Sequence, residues 1–236
     1  MTFSRIRTSR TTKRTIQRAA RGPGRLLPLC VTLLFSATVS GSEIDISVLD
    51  RNGKGVADVA VYAVRTVGNE KLPTPVSNPV MDQVDRRFVP HLLVVQTGAA
   101  VEFPNSDSVA HHVYSFSHPN KFMLPMYKGE LHPPVTFDHS GVVSLGCNIH
   151  DHMLGYILVV DSSVFTKTDK NGRATLSVDD PEAYTVNIWS PRIRDKAESL
   201  SRSLDSSRDP VTFSLGKKLN PPHHGPTDGN SWPDYQ

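Results

Sequence analysis

Cys147, His150 and Met153 stand at successive spacings of three in the stretch GCNIHDHMLG, and eight of the ten histidines of this 236-residue chain fall between His91 and His152. On a loop joining two strands, a thiolate, an imidazole and a thioether can be turned back onto one point. Soft sulfur favours Cu(I) and imidazole also supports Cu(II), so the donor types suit a copper ion that cycles between oxidation states. One loop does not complete such a site, because at least one more strong ligand is needed. The stretch VEFPNSDSVAHHVYSFS offers it: His111 stands where an extended strand leaves a polar turn, 36 residues before Cys147. Alternation along a strand sends His111 and His112 to opposite faces, and His111 is taken as the ligand.

The elements that must position these groups read as β-strands. Alternation in EIDISVLD returns in VADVAVYAV after the Asn-Gly turn of DRNGKG, and a second strand-turn-strand unit runs through VFTKTDKNGRATLSV. Val, Leu and Phe dominate FVPHLLVVQTG. Further strands are expected in AAVEFPN, HHVYSFS, PPVTFDHSGVVSLGC and LGYILVVD, and residues 43–190 carry no convincing amphipathic helix signal. The fold class is therefore mainly β. The echo of DRNGKG in DKNGRA is either a coincidence between hairpins or the mark of one small β-sandwich framing a second domain inserted into it. Residues 67–87 hold three prolines and little periodicity and read as a linker. Residues 195–236 read as a mostly disordered tail around a short alternating VTFSLG, with His223 and His224 solvated.

Charge locates the non-core material. All eight Lys and Arg before residue 40 stand without an acidic partner. Setting them aside leaves 18 basic against 23 acidic residues, a net of about −5 in place of the formal +3. That basic stretch precedes LLPLCVTLLFSATVSG, so residues 1–41 read as a signal peptide cleaved near Ser40 or Gly41. Leu26 to Phe35 is too short for a stable bilayer span, retention as an anchor being the alternative. The expected product is an exported, periplasmic domain of about 195 residues with no stable membrane span after processing. Without its basic arm the chain loses its compositional support for nucleic-acid binding, and two cysteines exclude a multi-disulfide scaffold. Cys30 leaves with the leader. Cys147 is then the only thiol in an oxidising compartment, a liability unless buried, joined to a partner or held by a metal.

The stretch from Phe88 to Asp161 resembles the cupredoxin (small blue copper) family, above all its amicyanin branch, in PNSDSVAHHV and in the Cys-x2-His-x2-Met loop. The resemblance implies a Greek-key cupredoxin β-sandwich over 88–161, with His111, Cys147 and His150 as equatorial copper ligands and Met153 as the axial one. It implies that Asn105 ties the two ligand loops together by hydrogen bonds. The whole chain also looks like exported proteins labelled methylamine utilization proteins, which add a small transthyretin-like or carboxypeptidase-regulatory-like β module, here residues 42–66 and 162–194. Two departures leave alternatives open. His112 follows His111 directly, and His152 stands at Cys-x4-His spacing, which other branches use for a ligand, so His112 and His152 are alternative metal ligands.

Zinc is the competing metal, with Asp151 or His152 completing a tetrahedral set, and Met153 argues against it. Met123 and Met126 read as packing or surface residues, and His91, His118, His132 and His139 as polar surface or local hydrogen-bonding groups. The expected function is electron transfer through a type 1 copper site cycling between Cu(I) and Cu(II). Its partner would be a redox protein such as a c-type cytochrome or a dehydrogenase. An enzyme is not expected. The alternatives are a copper carrier or storage protein and a non-catalytic β interaction module.

Overall fold

A computed structural model describes residues 41–66, 71–76, 78–129, 132–205 and 209–222. Residues 1–40 of the expected signal peptide, and His223 and His224, lie outside these residues. The strands run in chain order β1 (Ser42–Leu49), β2 (Ala60–Arg65), β3 (Asp82–Val84), β4 (Arg87–Val89), β5 (Leu92–Gln96), β6 (Ala99–Val101), β7 (Val113–Ser115) and β8 (Phe122–Met123). They continue with β9 (Val135–Phe137), β10 (Gly141–Cys147), β11 (Leu154–Val160), β12 (Val164–Lys167), β13 (Arg173–Val178), β14 (Tyr184–Trp189), β15 (Ser201–Ser203) and β16 (Val211–Ser214). Two short 3-10 turns, Pro181–Ala183 and Ala197–Leu200, are the helical elements among the described residues. The protein is mainly β, as its alternating sequence requires.

Two sheets, β13-β1-β16 and β12-β2-β14-β15, enclose one core. In β1 the alternation is regular, with Ile44, Ile46 and Val48 buried between exposed Glu43 and Asp45. The two Asn-Gly segments do not close hairpins, however. β1 pairs with β13 and β16, whereas β2 pairs with β12 and β14, so each turn carries the chain from one sheet to the other. The turns are built alike: Asp50 Oδ1 accepts the Asn52 and Lys54 N–H groups at 2.8 and 2.9 Å, and Asp169 Oδ1 accepts those of Asn171 and Arg173 at 2.8 Å each. They also meet, the Val48 N–H donating to the Gly172 carbonyl at 2.8 Å. The sequence echo is thus a repeated corner of one sandwich.

The second body holds the sheet β5-β11-β10-β7-β8, the pair β6-β9 and the hairpin β3-β4 around a core that includes Phe88, Phe137, Leu145, Cys147 and Met153. β5 and β11 read as unbroken apolar runs because both their faces are covered. Val95, Ile157 and Val159 face this core, while Leu92, Val94, Leu158 and Val160 join Ala60, Phe165 and Trp189 in a third cluster against the flanking sandwich. Burying a Leu or Val side chain contributes about 1.5–3 kcal/mol. The Lys167 ammonium also reaches across the junction, donating to the Leu92 carbonyl of β5 at 2.9 Å.

Two expected boundaries change. The segment 67–87 is not wholly linker: Met81 and Gln83 are fully buried and β3 belongs to the second body. Residues 195–222 are not a disordered tail, because β15 extends the sheet of β14 and β16 lies parallel beside β1, burying Phe213 and Leu215. β15 itself carries no apolar side chain and is followed by the single buried Leu204, and β16 brings Val211 and Phe213, too few to form a core alone but enough to complete an existing one.

A Cβ at Gly55 would lie 1.9 Å from the Asn171 carbonyl oxygen, whereas Gly53, at φ +76°, has open space around it. Gly55→Ala should therefore cost about 3 kcal/mol by overpacking, and Gly53→Ala about 1–2 kcal/mol from its left-handed backbone alone. Urea denaturation of both variants checks the order; equal losses would contradict the interlocked corner.

Candidate metal centre

Cys147 ends β10, where alternation turns Val143, Leu145 and Cys147 into the core. The chain reverses over residues 148–152 and re-enters β11, with the Met153 N–H closing the turn onto the His150 carbonyl at 2.9 Å. His111 arrives from the neighbouring strand. β7 pairs with β10 through Val113 opposite Cys147, and His111 lies two residues earlier on the same buried side. A reciprocal pair of backbone hydrogen bonds with Tyr127, both 3.0 Å, fixes the His111 backbone.

These elements bring His111, Cys147 and His150 together. His111 Nδ1 lies 3.1 Å from His150 Nδ1, and Cys147 Sγ lies 3.8 Å from His111 Nδ1 and 3.7 Å from His150 Nδ1. A point equidistant from three atoms so placed lies about 2.1 Å from each, within the range of metal–nitrogen bonds and slightly short of metal–thiolate ones. The residues present fit a metal ion. Among the described residues this is the one such cluster of His, Cys, Asp and Glu atoms. His111 is 0% exposed and Cys147 3%, while His150 is half-buried.

Burial pushes the His150 imidazole below its ordinary pKa, and the nearby Arg86 guanidinium acts in the same direction, against the Asp107 carboxylate. A neutral ring with a bare nitrogen is the form a metal takes. Met153 is buried in the same core as Cys147. His112 and His152 are outside the cluster: His112 is half-buried with its ring centroid 6.1 Å from that of Tyr114, and the His152 ring is 6.1 Å from that of His150. Met123 and Met126 are exposed. His91 packs edge-on against Tyr156, His132 against Tyr127, and His118 and His139 are exposed.

Asn105 does not bridge the ligand loops. Its Nδ2 donates to the carbonyls of Val109 and Tyr127, and its Oδ1 accepts the Asp107 N–H, so it braces the turn that leads into His111. The link between the loops is instead a backbone bond, Asn148 N–H to the His112 carbonyl at 3.3 Å.

Sequence reasoning passed over Asp107. Its Oδ2 lies 3.0 Å from His111 Nε2, with the carboxylate side chain 8% exposed. Burial opposes ionisation there, but the backbone N–H of Arg86, the His111 ring and the Ser108 N–H outweigh it and hold the carboxyl at about 2. The signal was available in the i, i+4 spacing of Asp107 and His111, although nothing in the sequence says which acidic residue faces which ring.

No family model and no curated protein matches the chain. Among solved structures, an oxidized amicyanin mutant is similar at 24% identity over 35% of this chain and 82% of that one, with a TM-score of 0.33. A purple cupredoxin from Nitrosopumilus maritimus is similar at 22% identity over 35% of this chain and all of that one, TM-score 0.32. A copper-containing nitrite reductase from Thermus scotoductus SA-01 is similar at 26% identity over 41% of this chain and 25% of that one, TM-score 0.34. The solved structures it resembles are thus amicyanin and other copper proteins of the cupredoxin kind.

The lowered pKa of Asp107 sets a pH dependence. A carboxyl at about 2 when folded and about 3.9 when unfolded contributes stability that is fully present above pH 4 and lost as the pH falls towards 2. The stability of the metal-free protein over Asp107→Asn should therefore shrink across that window in denaturation curves. A gap that stays constant would contradict an ionised Asp107.

Proposed function

We propose that this chain is an exported copper protein that transfers electrons through a type 1 site, with His111, Cys147 and His150 as the strong ligands and Met153 as a weak axial one. The observation that carries the reading is the buried triangle of two imidazole nitrogens and one sulfur, each within 3.8 Å of the others. When bound, copper supplies one-electron exchange between Cu(II) and Cu(I). The protein's contribution is to hold its donors fixed: His111 by the Tyr127 bridge and Asp107, Cys147 by the β7-β10 pairing, and His150 by the turn closed at Met153. Donors that do not move impose little rearrangement on a change of charge, which favours carriage of electrons over catalysis.

The donor chemistry supports copper over zinc. A closed zinc site wants a fourth strong ligand, and among the described residues no further carboxylate or imidazole joins the three. A buried thioether nearby suits copper. His150 is the least buried of the three ligands and would be the electron exit, with exposed Met126 and Pro125 and half-buried Leu154 offered as the apolar contact for a redox partner such as a c-type cytochrome or a dehydrogenase. The basic, then apolar, N-terminus supports export. Among the described residues no helix is long and apolar enough to cross a membrane. The likeness to methylamine utilization proteins reflects kinship with amicyanin more than a role in amine oxidation.

Copper titration followed by visible absorption tests the reading. One equivalent should give an intense charge-transfer band and a reversible one-electron potential. Cys147→Ser and His150→Ala should abolish the band, while His112→Ala and His152→Ala should retain it. Colourless Cu(I) binding with ready transfer would favour a copper carrier instead, and no stoichiometric binding would leave a β interaction module.

A further inference from the structure

The β3-β4 hairpin lies outside the ligand-bearing segments and carries an unusual turn. Its two loop residues, Asp85 at φ +51° and Arg86 at φ +55°, both adopt the left-handed backbone that a two-residue hairpin of this kind demands. Asn-Gly or Asp-Gly serves there readily, so Asp85 is at ease and it is Arg86, standing where glycine is favoured, that adopts the turn unfavourably. Such an outlier persists where its surroundings use it.

What the turn delivers is one backbone donor. The Arg86 N–H points at Asp107 Oδ2 at 2.7 Å, the same oxygen that faces His111 Nε2 at 3.0 Å. The hairpin grips the segment from a second side, since Ser106 donates its hydroxyl to Asp82 Oδ2 at 2.7 Å and its N–H to Asp82 Oδ1 at 3.2 Å. The Ser108 N–H holds the other Asp107 oxygen at 2.6 Å. An ionised carboxylate is acceptor-only, so the nitrogen opposite it carries the proton. In a neutral ring that leaves the lone pair on His111 Nδ1, the atom turned towards Cys147 and His150.

We propose that the Asp85–Arg86 turn is a positioning device for the metal centre: its Arg86 N–H fixes Asp107, and Asp107 holds His111 in the tautomer that presents a bare Nδ1 to the metal. The proposal rests on the metal-binding reading above, but its tautomer component is measurable without metal. Arg86→Gly keeps the N–H and accepts the positive φ, while Arg86→Pro removes the N–H and cannot adopt that φ. Both lose the guanidinium, so their difference reports the turn backbone, its N–H and its φ together.

The test is long-range proton–nitrogen correlation NMR on the metal-free, histidine-labelled protein, paired with Cu(II) titration of each variant. Wild type and Arg86→Gly should show His111 protonated at Nε2. Arg86→Pro and Asp107→Leu should populate the Nδ1–H form and lose about 10–100-fold in Cu(II) affinity. Should the proline variant fail to fold, Asp107→Leu against wild type decides by the same readouts. A wild-type His111 protonated at Nδ1, or a tautomer and affinity unmoved in these variants, overturns the proposal even if copper binds. An Nε2–H tautomer that depends on Asp107 in a protein that binds no copper would instead overturn the metal reading and leave the positioning chain standing.

Discussion

Three electron-rich atoms held within 3.8 Å of one another, two of them on buried residues, set the constraint on which the rest of the site depends. Without a shared proton or a cation between them, lone pairs at such separations repel, and burial denies them water. The surrounding structure therefore has to fix each one separately. Cys147 is fixed by strand register, His111 by its bridge to Tyr127 and by Asp107, and His150 by the turn that ends at Met153.

The strand that follows the His150 turn, β11, is buried on both faces. One face closes the core behind Cys147 and Met153; the other, through Leu158 and Val160, closes against Phe165 and Trp189 at the flanking sandwich. The flanking module thereby backs the sheet that carries the site, away from the half-buried His150.

Much of this was legible in the sequence because it depends on local period. The alternation around Val143, Leu145 and Cys147, the placing of His111 and His112 on opposite faces, and the three-residue spacing of Cys147, His150 and Met153 are all short-range patterns. What was not legible depends on partners distant in the chain. The Asn-Gly segments look like hairpins, yet their flanking strands pair in opposite sheets. β16 contributes little more than Phe213 and gains its place only from β1. Asp107 and Arg86 lie in polar, aperiodic stretches, and they meet only once the hairpin that carries Arg86, 21 residues before Asp107, folds back on the His111 turn. Asn105 is conspicuous in the sequence for the same turn, but its hydrogen bonds stay on the His111 side of the site.

The proposed electron transfer requires a preformed site whose donors do not rearrange with the charge of the ion. X-ray absorption spectroscopy of the copper-loaded protein, recorded oxidised and then reduced, tests it most directly. Two nitrogens and one sulfur should be bound to copper in both states, with metal–ligand distances that scarcely change. A shell of nitrogen and oxygen without sulfur, or a coordination number that changes on reduction, would contradict it.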